Sequence, residues 1–354
     1  MEDAPSSAAE YVSRVATEFA AVDVDLGDRV RTVSLSAGSA IYPGDGQTAE
    51  ELMANATLAL QEAKQNHRGG HVVFCAEIRS KVQACRQMEQ ELKRAYERGE
   101  FELFYQPQFD LSTLKVVGAE ALIRWRHPTN GHLSPAAFLS VLDTMPLSDA
   151  VGRWVIQTAC QQVAQWTKIN PDFRMGINLC PSLLETDALP SVVLKAVSDS
   201  GVSTSSVELE VTENILFHDP DNAIDILNTL RDSGVAIAFD DFGTGYASLT
   251  HLKRFPIDRL KVDQTFVRDM LGNESDRSIV GMIVGLGKLL GMYVIAEGIE
   301  DLATARALRE MGCDDGQGYY FGRPVPAAEF SKLYLGDGIQ QDLEAPDGLL
   351  RVPA

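Results

Sequence analysis

The sequence predicts an α/β protein with a TIM-like (β/α)8 barrel, preceded by a partial α+β segment. Short apolar runs rich in β-branched residues recur along the chain, and helical patterns separate most of them, which is typical of a parallel sheet. The span from Phe101 to Tyr334 has the length of one such barrel. The expected strands are Leu103–Gln106, Val116–Trp125, Arg174–Leu179, Val207–Val211, Ala236–Asp240, Arg259–Val262, Tyr293–Ala296 and Gly318–Phe321.

The first two barrel strands depart from simple alternation. Phe101–Asp110 and Lys115–Trp125 are joined by a short turn, which leaves antiparallel pairing of the first strand open. Asp314-Asp315, just before the last expected strand, is interpreted as a solvated turn. Helical patterns between later strands cover Asp149–Lys168, Asp187–Ser200, Pro220–Ser233 and Asp276–Leu290.

The residues before the barrel predict a helical stretch around Tyr11–Phe19, a strand at Val33–Ile41, a helix at Thr48–Lys64 and a short strand at His71–Phe74. A fragment of this size is not expected to bury a proper core by itself. Apolar residues at helical spacing then predict a connecting helix, whose mixed-sign polar face disfavours a membrane-surface helix. The expected organisation is a partial segment at 1–76, a connecting helix at 77–98, the barrel at 99–334 and a loose tail at 335–354.

Composition narrows the classes of partner. The formal charge is −19, from 50 acidic against 31 basic residues, which disfavours binding to nucleic-acid polymers but permits a small phosphorylated ligand neutralised by metals and local bases. No apolar run has the length of a membrane span. The five cysteines are scattered and lack a CxxC pair, which favours reduced thiols. We therefore expect a cytoplasmic protein, or the cytosolic part of a larger membrane-attached one.

Oxygen-bearing side chains recur near the ends of the predicted strands. If the strands close into one barrel, these side chains meet at its carboxyl-terminal rim, where such barrels place their chemistry. That many carboxylates need cations to neutralise them, and oxygen ligands suit Mg²⁺ or Mn²⁺ better than structural zinc. The residues are Glu120, Asn178, Glu210, Glu213, Asp240, Asp241, Glu297 and Glu300.

A series of short motifs resembles the EAL-domain family of cyclic di-GMP phosphodiesterases. They occur in the family's order from about residue 85 to 333, which makes the combined resemblance specific although each motif alone is weak. The motifs are Tyr105-Gln106-Pro107, Glu120-Ala121-Leu122-Ile123-Arg124, Asn178-Leu179, Glu210-Val211-Thr212-Glu213, Asp240-Asp241-Phe242-Gly243-Thr244-Gly245-Tyr246, Leu260-Lys261-Val262-Asp263, Ala296-Glu297-Gly298-Ile299-Glu300 and Gln317-Gly318-Tyr319.

The resemblance implies hydrolysis of cyclic di-GMP to linear pGpG with two Mg²⁺ or Mn²⁺ ions, with Ca²⁺ inhibitory. The implied metal ligands are Glu120, Asn178, Glu210, Asp240 and Asp241. The implied catalytic residues are Lys261, Glu297, Gln317 and Glu120, and the implied substrate-binding residues are Gln106, Arg124, Pro128 and Asp263. Glu213 and Glu300 would stabilise the loops, and the Asp241–Tyr246 loop implies a homodimer.

The segment from Val33 to Gly46, followed by Leu52 and Ala63-Lys64, resembles the carboxyl-terminal half of a GGDEF domain. The GGDEF motif is absent, so no cyclase activity is expected, and the chain is expected to be cut through this first domain.

Other interpretations stay open. The acids and Lys261 also suit a structural ion-pair network or a solvated rim, and Gln106 and Gln317 suit ordinary hydrogen-bonding amides. The whole chain also suits a catalytically silent cyclic di-GMP receptor, or a hydrolase of another phosphodiester. Formation of pGpG separates these functions.

Overall fold

The structure is a computed structural model, and it describes residues 11–12, 14–15, 23–25, 30–32, 35–66, 70–184, 187–213, 220–243, 252 and 254–336. The chain divides into two compact units, Met1–Glu91 and Leu92–Ala354. The division falls inside the helix that the sequence predicts as a connector, and the finer domain limits stay predictions. No helix of the described residues is both long and apolar enough to cross a membrane.

The first unit contains the strand, helix and strand that the sequence predicts. β1 (Asp23–Asp25) pairs antiparallel with β2 (Val30–Thr32). β3 (Ala37–Ser39) pairs parallel with β4 (His71–Val73), and α1 (Ala49–Asn66) connects them. Ala59, Phe74 and Ile78 form a small buried cluster, which fits a fragment with little apolar surface to bury. α2 (Ala76–Glu97) follows.

Eight strands of the second unit close into a barrel, as predicted. The strands are β5 (Phe101–Asp110), β6 (Val116–His127), β8 (Arg174–Asn178), β9 (Val207–Thr212), β10 (Ala236–Phe242), β11 (Arg259–Val262), β12 (Tyr293–Ala296) and β13 (Asp315–Gln317), while β7 (Gly131–Leu133) and β14 (Val325–Pro326) extend the sheet from β6 and β5. The antiparallel arrangement left open for the first strand is found: β5 runs antiparallel to both β6 and β13. The pairs from β6 through β8 to β13 are parallel.

Helices follow the parallel strands. They are α3 (Leu139–Leu142), α4 (Leu147–Trp166), α5 (Pro181–Leu184), α6 (Leu189–Ser200), α7 (Pro220–Asp232), α8 (Gln264–Asp269), α9 (Glu274–Leu290), α10 (Leu302–Met311) and α11 (Ala327–Tyr334). Trp166 of α4 stacks on Phe330 of α11 at a ring-centroid distance of 4.5 Å, and Tyr105 of β5 packs edge-on against Trp166 at 4.9 Å. These aromatic contacts fix the outer surface of β5 against the last helix.

The last barrel strand differs from its prediction. Gly318–Phe321 forms a turn, and the strand lies just before it at Asp315–Gln317. Asp315 is therefore buried in the barrel, so its interpretation as part of a solvated turn was wrong. Its Oδ2 lies 2.8 Å from Arg259 Nη2 and 3.0 Å from Arg174 Nη2. The charge is tolerated inside the barrel because two guanidinium groups surround it.

These ions form a layer at the amino-terminal end of the parallel strands. Arg259 begins β11, and its Nε lies 3.3 Å from Glu208 Oε2 near the start of β9. Arg174 begins β8 and Asp315 begins β13. Such a layer on the end remote from the loops is associated with stability of the barrel rather than with its chemistry.

Candidate active site at the carboxyl end of the barrel

Strand register brings the predicted site residues to one end of the barrel. Gln106 of β5 lies opposite Glu120 of β6, and Asn178 at the end of β8 lies opposite Glu210 of β9. Lys261 projects from β11, and Glu297 directly follows β12. Residues far apart in the sequence converge because each stands near the carboxyl end of a parallel strand. The exception is Gln106, which the reversed strand β5 brings to the same end.

The buried Lys261 ammonium lies among four carboxylates. Its Nζ is 2.5 Å from Glu210 Oε2, 2.7 Å from Glu297 Oε1, 2.9 Å from Asp240 Oδ1 and 3.9 Å from Glu120 Oε2. The sequence left open that Lys261 pairs with neighbouring acids, and the structure contains those pairs. One ammonium cannot balance four carboxylates in a buried place, so the site has capacity for more positive charge.

The acid–base properties follow from burial and crowding of like charges. Burial raises the pKa of Glu297 to about 8, with Asp240 and Glu120 adding to the shift against the opposing effect of Lys261. Burial also raises the pKa of Glu210 well above its usual range. Burial alone would lower the pKa of Lys261, but the surrounding carboxylates raise it well above its usual value, so the ammonium stays charged.

Asp240 and Asp241 are adjacent on β10, and side chains of adjacent strand residues normally point to opposite faces. The pairing between β10 and β11 is irregular between Phe239 and Phe242, and Asp241 has a left-handed backbone with φ 53°. Carboxylate oxygens of Asp240, Asp241 and Glu297 consequently lie within 4.8 Å of one another. Burial, followed by Asp240 and Asp263, raises the pKa of Asp241 to about 6. A strained residue at a charged site is a common feature of functional centres.

Two amide side chains orient the carboxylate of Glu120, and a third contacts one of them. Asn178 Nδ2 donates to Glu120 Oε1 at 2.6 Å, and Gln317 Nε2 donates to Glu120 Oε2 at 2.6 Å. The same Gln317 nitrogen donates to Gln106 Oε1 at 3.1 Å, and Gln106 Nε2 donates to Gly322 O at 3.2 Å. The Glu120 carboxylate is thereby fixed from both sides.

The donor set fits a divalent cation. Glu210 Oε1 is buried and has no hydrogen-bond partner in the part of the chain that the structure describes, whereas Oε2 contacts Lys261. An unpaired buried carboxylate oxygen is costly unless a cation satisfies it. The other donors nearby are carboxylate and amide oxygens, which hard divalent cations such as Mg²⁺ and Mn²⁺ prefer.

Gly176 on β8 provides the space that Glu210 occupies. A Cβ atom at position 176 would overlap with Glu210 Oε1. We expect Gly176→Ala to weaken Mn²⁺ binding by about tenfold or more, because Glu210 must leave the position in which its oxygen faces the site. A titration of the ligand-free protein followed by electron paramagnetic resonance measures the change. Gly281→Ala on α9 is the matched control, because a Cβ there meets no atom within 4 Å. Equal Mn²⁺ affinity of the Gly176→Ala and Gly281→Ala proteins would contradict the expectation.

A cavity of about 440 Å³ opens beside these residues. Its wall includes Arg124, whose guanidinium carbon lies 5.6 Å from the centroid of the Phe104 ring and whose Nη1 donates to Ile123 O at 2.9 Å. Tyr319 also lines the cavity, and Arg323 lies over its ring at 4.0 Å. A guanidinium group and an aromatic ring beside a cluster of acids suit a ligand with both phosphate and flat ring groups.

Comparisons with known proteins agree with this geometry. Residues 89–324 match the EAL domain family, which is more than half of the chain. The chain belongs to the EAL domain family. Residues 1–70 match the family described as diguanylate cyclase, GGDEF domain, in agreement with the partial segment predicted from the sequence.

The EAL chain is similar to two curated proteins of Pseudomonas aeruginosa. It is 36% identical over 328 residues to MucR, a bifunctional diguanylate cyclase/cyclic di-GMP phosphodiesterase, covering 92% of this chain and 47% of MucR. It is 37% identical over 318 residues to NbdA, a cyclic di-GMP phosphodiesterase, covering 89% of this chain and 41% of NbdA. The chain therefore spans less than half the length of these relatives.

A solved structure is similar to the EAL barrel. The PaMucR phosphodiesterase in complex with c-di-GMP matches with a TM-score of 0.67 and 36% identity, covering 69% of this chain and 99% of that chain. The family and its barrel fold are shown by these similarities. The roles of individual residues stay predictions.

Four other predicted residues of the EAL barrel are not among the residues whose carboxylates surround Lys261. Pro128 is exposed in the turn between β6 and β7, and it does not line the cavity described above. Asp263 is buried and caps α8 by accepting from Thr265 N at 2.9 Å. Glu300 lines the cavity, and its Oε1 lies 3.2 Å from Arg268 Nε. Glu213 precedes residues 214–219, and the Asp241–Tyr246 loop includes residues 244–246; these two stretches fall outside the described residues.

Three further residues line the EAL cavity without a role predicted from the sequence. Tyr319 ends the Gln317-Gly318-Tyr319 motif, whereas Gln264 and Arg268 lie outside every motif. Gln264 and Arg268 are one helical turn apart on α8, just after the Lys261–Asp263 motif, and Arg268 Nη2 donates to Gln264 Oε1 at 2.9 Å. Their position one turn beyond a motif strand is the signal that could have identified them.

Proposed function

We propose that this chain hydrolyses one phosphodiester bond of cyclic di-GMP, with two bound Mg²⁺ or Mn²⁺ ions, and releases linear pGpG. The observation that carries the proposal is the convergence of Glu120, Glu210, Asp240 and Glu297 around Lys261, beside a cavity that contains Arg124. The names of MucR and NbdA and the c-di-GMP complex of PaMucR support the choice of substrate.

The metal ligands in this proposal are Glu120, Asn178, Glu210, Asp240 and Asp241. When bound, the two cations polarise the phosphodiester and lower the pKa of a water molecule. Asn178 Nδ2 donates a hydrogen bond to Glu120, so Oδ1 of Asn178 is the atom suited to a cation. Asp241 reaches the site because its backbone is left-handed at the irregular part of β10.

Two side chains of this protein act near the reacting phosphorus, one through its charge and one by accepting a proton. The oxygen of water forms a bond to phosphorus as the bond to one ribose 3′ oxygen breaks, and the leaving oxygen takes up a proton from solvent. Lys261 holds fixed positive charge where negative charge develops, as electrostatic stabilisation requires. Glu297 lines the cavity 2.7 Å from Lys261, and its ionised carboxylate is suited to accept the proton from water.

Arg124 and Gln106 bind the ligand in this proposal. The planar guanidinium of Arg124 can donate two hydrogen bonds to a phosphate. Gln106 lines the cavity. Its amide oxygen accepts a hydrogen bond from Gln317, so its amide nitrogen faces away from Gln317. One N–H of this amide donates to Gly322 O, and the other is the group suited to an anionic ligand.

Incubation of the purified chain with cyclic di-GMP and Mg²⁺ tests the proposal. We expect chromatography to detect pGpG in a 1:1 ratio to the substrate consumed, and we expect EDTA to stop its formation. Binding of cyclic di-GMP without product under the same conditions would instead support a silent receptor. The homodimer through the Asp241–Tyr246 loop stays a separate proposal that rests on the family resemblance.

A further inference from the structure

A second glutamine on β5 contacts a residue of the candidate site without lining the cavity. Gln108 is two residues after Gln106, so both side chains point to the same face of the strand. Gln108 is 1% exposed, and it lies directly opposite Gln317 in the antiparallel pairing of β5 with β13. Its Nε2 donates to Gln317 Oε1 at 3.0 Å. Gln108 therefore contacts the amide that orients Glu120, without lining the cavity itself.

The other end of Gln108 contacts the ion layer at the amino-terminal end of the barrel. Arg259 Nη1 donates to Gln108 Oε1 at 3.4 Å. This bond is longer than the others, but the positive guanidinium still favours the oxygen of the amide over its nitrogen. Arg259 is in turn held between Glu208 and Asp315, so its position is fixed by two buried ion pairs.

These contacts form a chain with one allowed direction. Arg259 can only donate hydrogen bonds, and an ionised Glu120 can only accept them. An amide between a donor and an acceptor has to turn its oxygen towards the first and its nitrogen towards the second. Gln108 and Gln317 both have this orientation, so the direction runs from Arg259 through both amides to Glu120.

The direction matters because a glutamine amide can rotate by half a turn at little steric cost. If Gln317 turned around, its oxygen would face the Glu120 carboxylate, and Glu120 would lose a 2.6 Å hydrogen bond. Gln106 would lose its donor as well, and turning its own amide would set its oxygen against Gly322 O, where two acceptors cannot form a hydrogen bond. Both changes act on groups that the proposed function places at the cations and the phosphate.

We propose that Gln108 is a positioning residue: with Arg259, it fixes the direction of the Gln317 amide and so holds Glu120 for the cations and Gln106 for the anionic ligand. This inference rests on the proposed function for its effect on turnover. Its effect on cation binding can be measured independently.

Two substitutions of similar volume separate direction from packing. Gln108→Glu keeps the shape and a partner for Arg259, but the ionised carboxylate cannot donate to Gln317 Oε1, so it favours the reversed amide. Gln108→Met keeps the approximate volume and favours neither direction. Gln161→Glu, at an exposed glutamine of α4, controls for the added charge.

The experiment measures Mn²⁺ affinity of the ligand-free protein by electron paramagnetic resonance, together with kcat and KM for cyclic di-GMP. We expect Gln108→Glu to lower both kcat and Mn²⁺ affinity by about tenfold or more, as expected from the loss of a buried charge-assisted hydrogen bond, with a smaller loss for Gln108→Met. In a Gln317→Met background, Gln108→Glu should change either quantity by no more than about twofold, because the residue through which it acts is gone.

Equal losses in the wild-type and Gln317→Met backgrounds would overturn the inference, since the effect would then be general to the fold. Wild-type values for Gln108→Glu would also overturn it. Should Gln108→Glu fail to fold, Gln108→Met in both backgrounds decides by the same comparison. A wild-type chain that binds Mn²⁺ but forms no pGpG would contradict the proposed function, whereas the Mn²⁺ measurements would still test Gln108.

Discussion

Glu120→Gln is expected to reduce the rate of pGpG formation by about a thousandfold or more, the size of effect seen when a preorganised electrostatic contact is removed from an active site. Glu120 projects from β6 with each carboxylate oxygen held by an amide donor, so both oxygens have defined directions. A neutral amide at this position loses one charge that the cations need. Its nitrogen would also face either Asn178 Nδ2 or Gln317 Nε2, and two donors cannot form a hydrogen bond.

The measurement is single-turnover hydrolysis at saturating Mg²⁺, with circular dichroism and a thermal melt to show that the barrel is folded. Glu97→Gln, at an exposed position near the end of α2, is the control for loss of one negative charge and should leave the rate unchanged. Turnover near the wild-type rate in folded Glu120→Gln would remove Glu120 from the catalytic assignment.

Lys261→Met is expected to destabilise the metal-free protein by about 3–5 kcal/mol, which is the typical cost of removing one partner from a buried ion pair. The ammonium contacts Glu210, Asp240 and Glu297, and these carboxylates have no comparable cation among the described side chains around them. Added Mg²⁺ or Mn²⁺ should recover part of the loss, because the cations bind the folded protein and supply the missing positive charge. Turnover should stay low even at saturating cation.

The stability lost in the Lys261→Met protein should grow as the pH rises. A carboxyl whose pKa is raised in the folded state is protonated when folded and ionised when unfolded between its two pKa values, so its contribution to stability falls as the pH rises through that range. For Glu297 in the wild type, this range runs from the ordinary glutamate pKa of 4.5 to about 8. Without Lys261, the carboxyl pKa values should rise further, so the difference from wild type should be larger at pH 8 than at pH 5.5.

Urea unfolding in EDTA at both pH values measures this difference. Lys195→Met is the matched control, because Lys195 is exposed and pairs with exposed Asp199 at 3.0 Å, and it should change stability by less than about 0.5 kcal/mol. A Lys261→Met protein as stable as wild type at pH 8 in EDTA would show that the four carboxylates do not depend on this ammonium.

Local patterns predicted most of the barrel but not its last strand. Gly318–Phe321 is aromatic and resembles a strand, whereas the true strand begins with Asp315, an acid that local rules place in a turn. Asp315 can be buried because Arg259 and Arg174, 56 and 141 positions earlier in the chain, lie 2.8 and 3.0 Å from it. A pattern confined to neighbouring residues cannot contain these two partners.

In the candidate site, too, local patterns predicted some features, whereas others depend on contacts that only the fold brings together. The convergence of Glu120, Asn178 and Glu210 could be predicted, because it needs only parallel strands in register. The left-handed backbone of Asp241 and the contact of Gln108 with Gln317 could not, since they depend on an irregular pairing and on a neighbour across the antiparallel strand. Sequence motifs identify which residues carry the chemistry, whereas the supporting contacts require the fold.

The reversed strand β5 also changes where the polypeptide enters the barrel. In a barrel built only of parallel strands, the first strand starts on the side opposite the chemistry. Here Phe101, the first residue of β5, lies beside Trp125 near the end of β6, and Glu100 O accepts from Arg126 N at 2.9 Å. The entry point is therefore on the side of the candidate site, and five residues of extended chain, about 17 Å, separate it from Gln106. A displacement of this entry would reach Gln106 along β5 itself, without passing through the barrel interior.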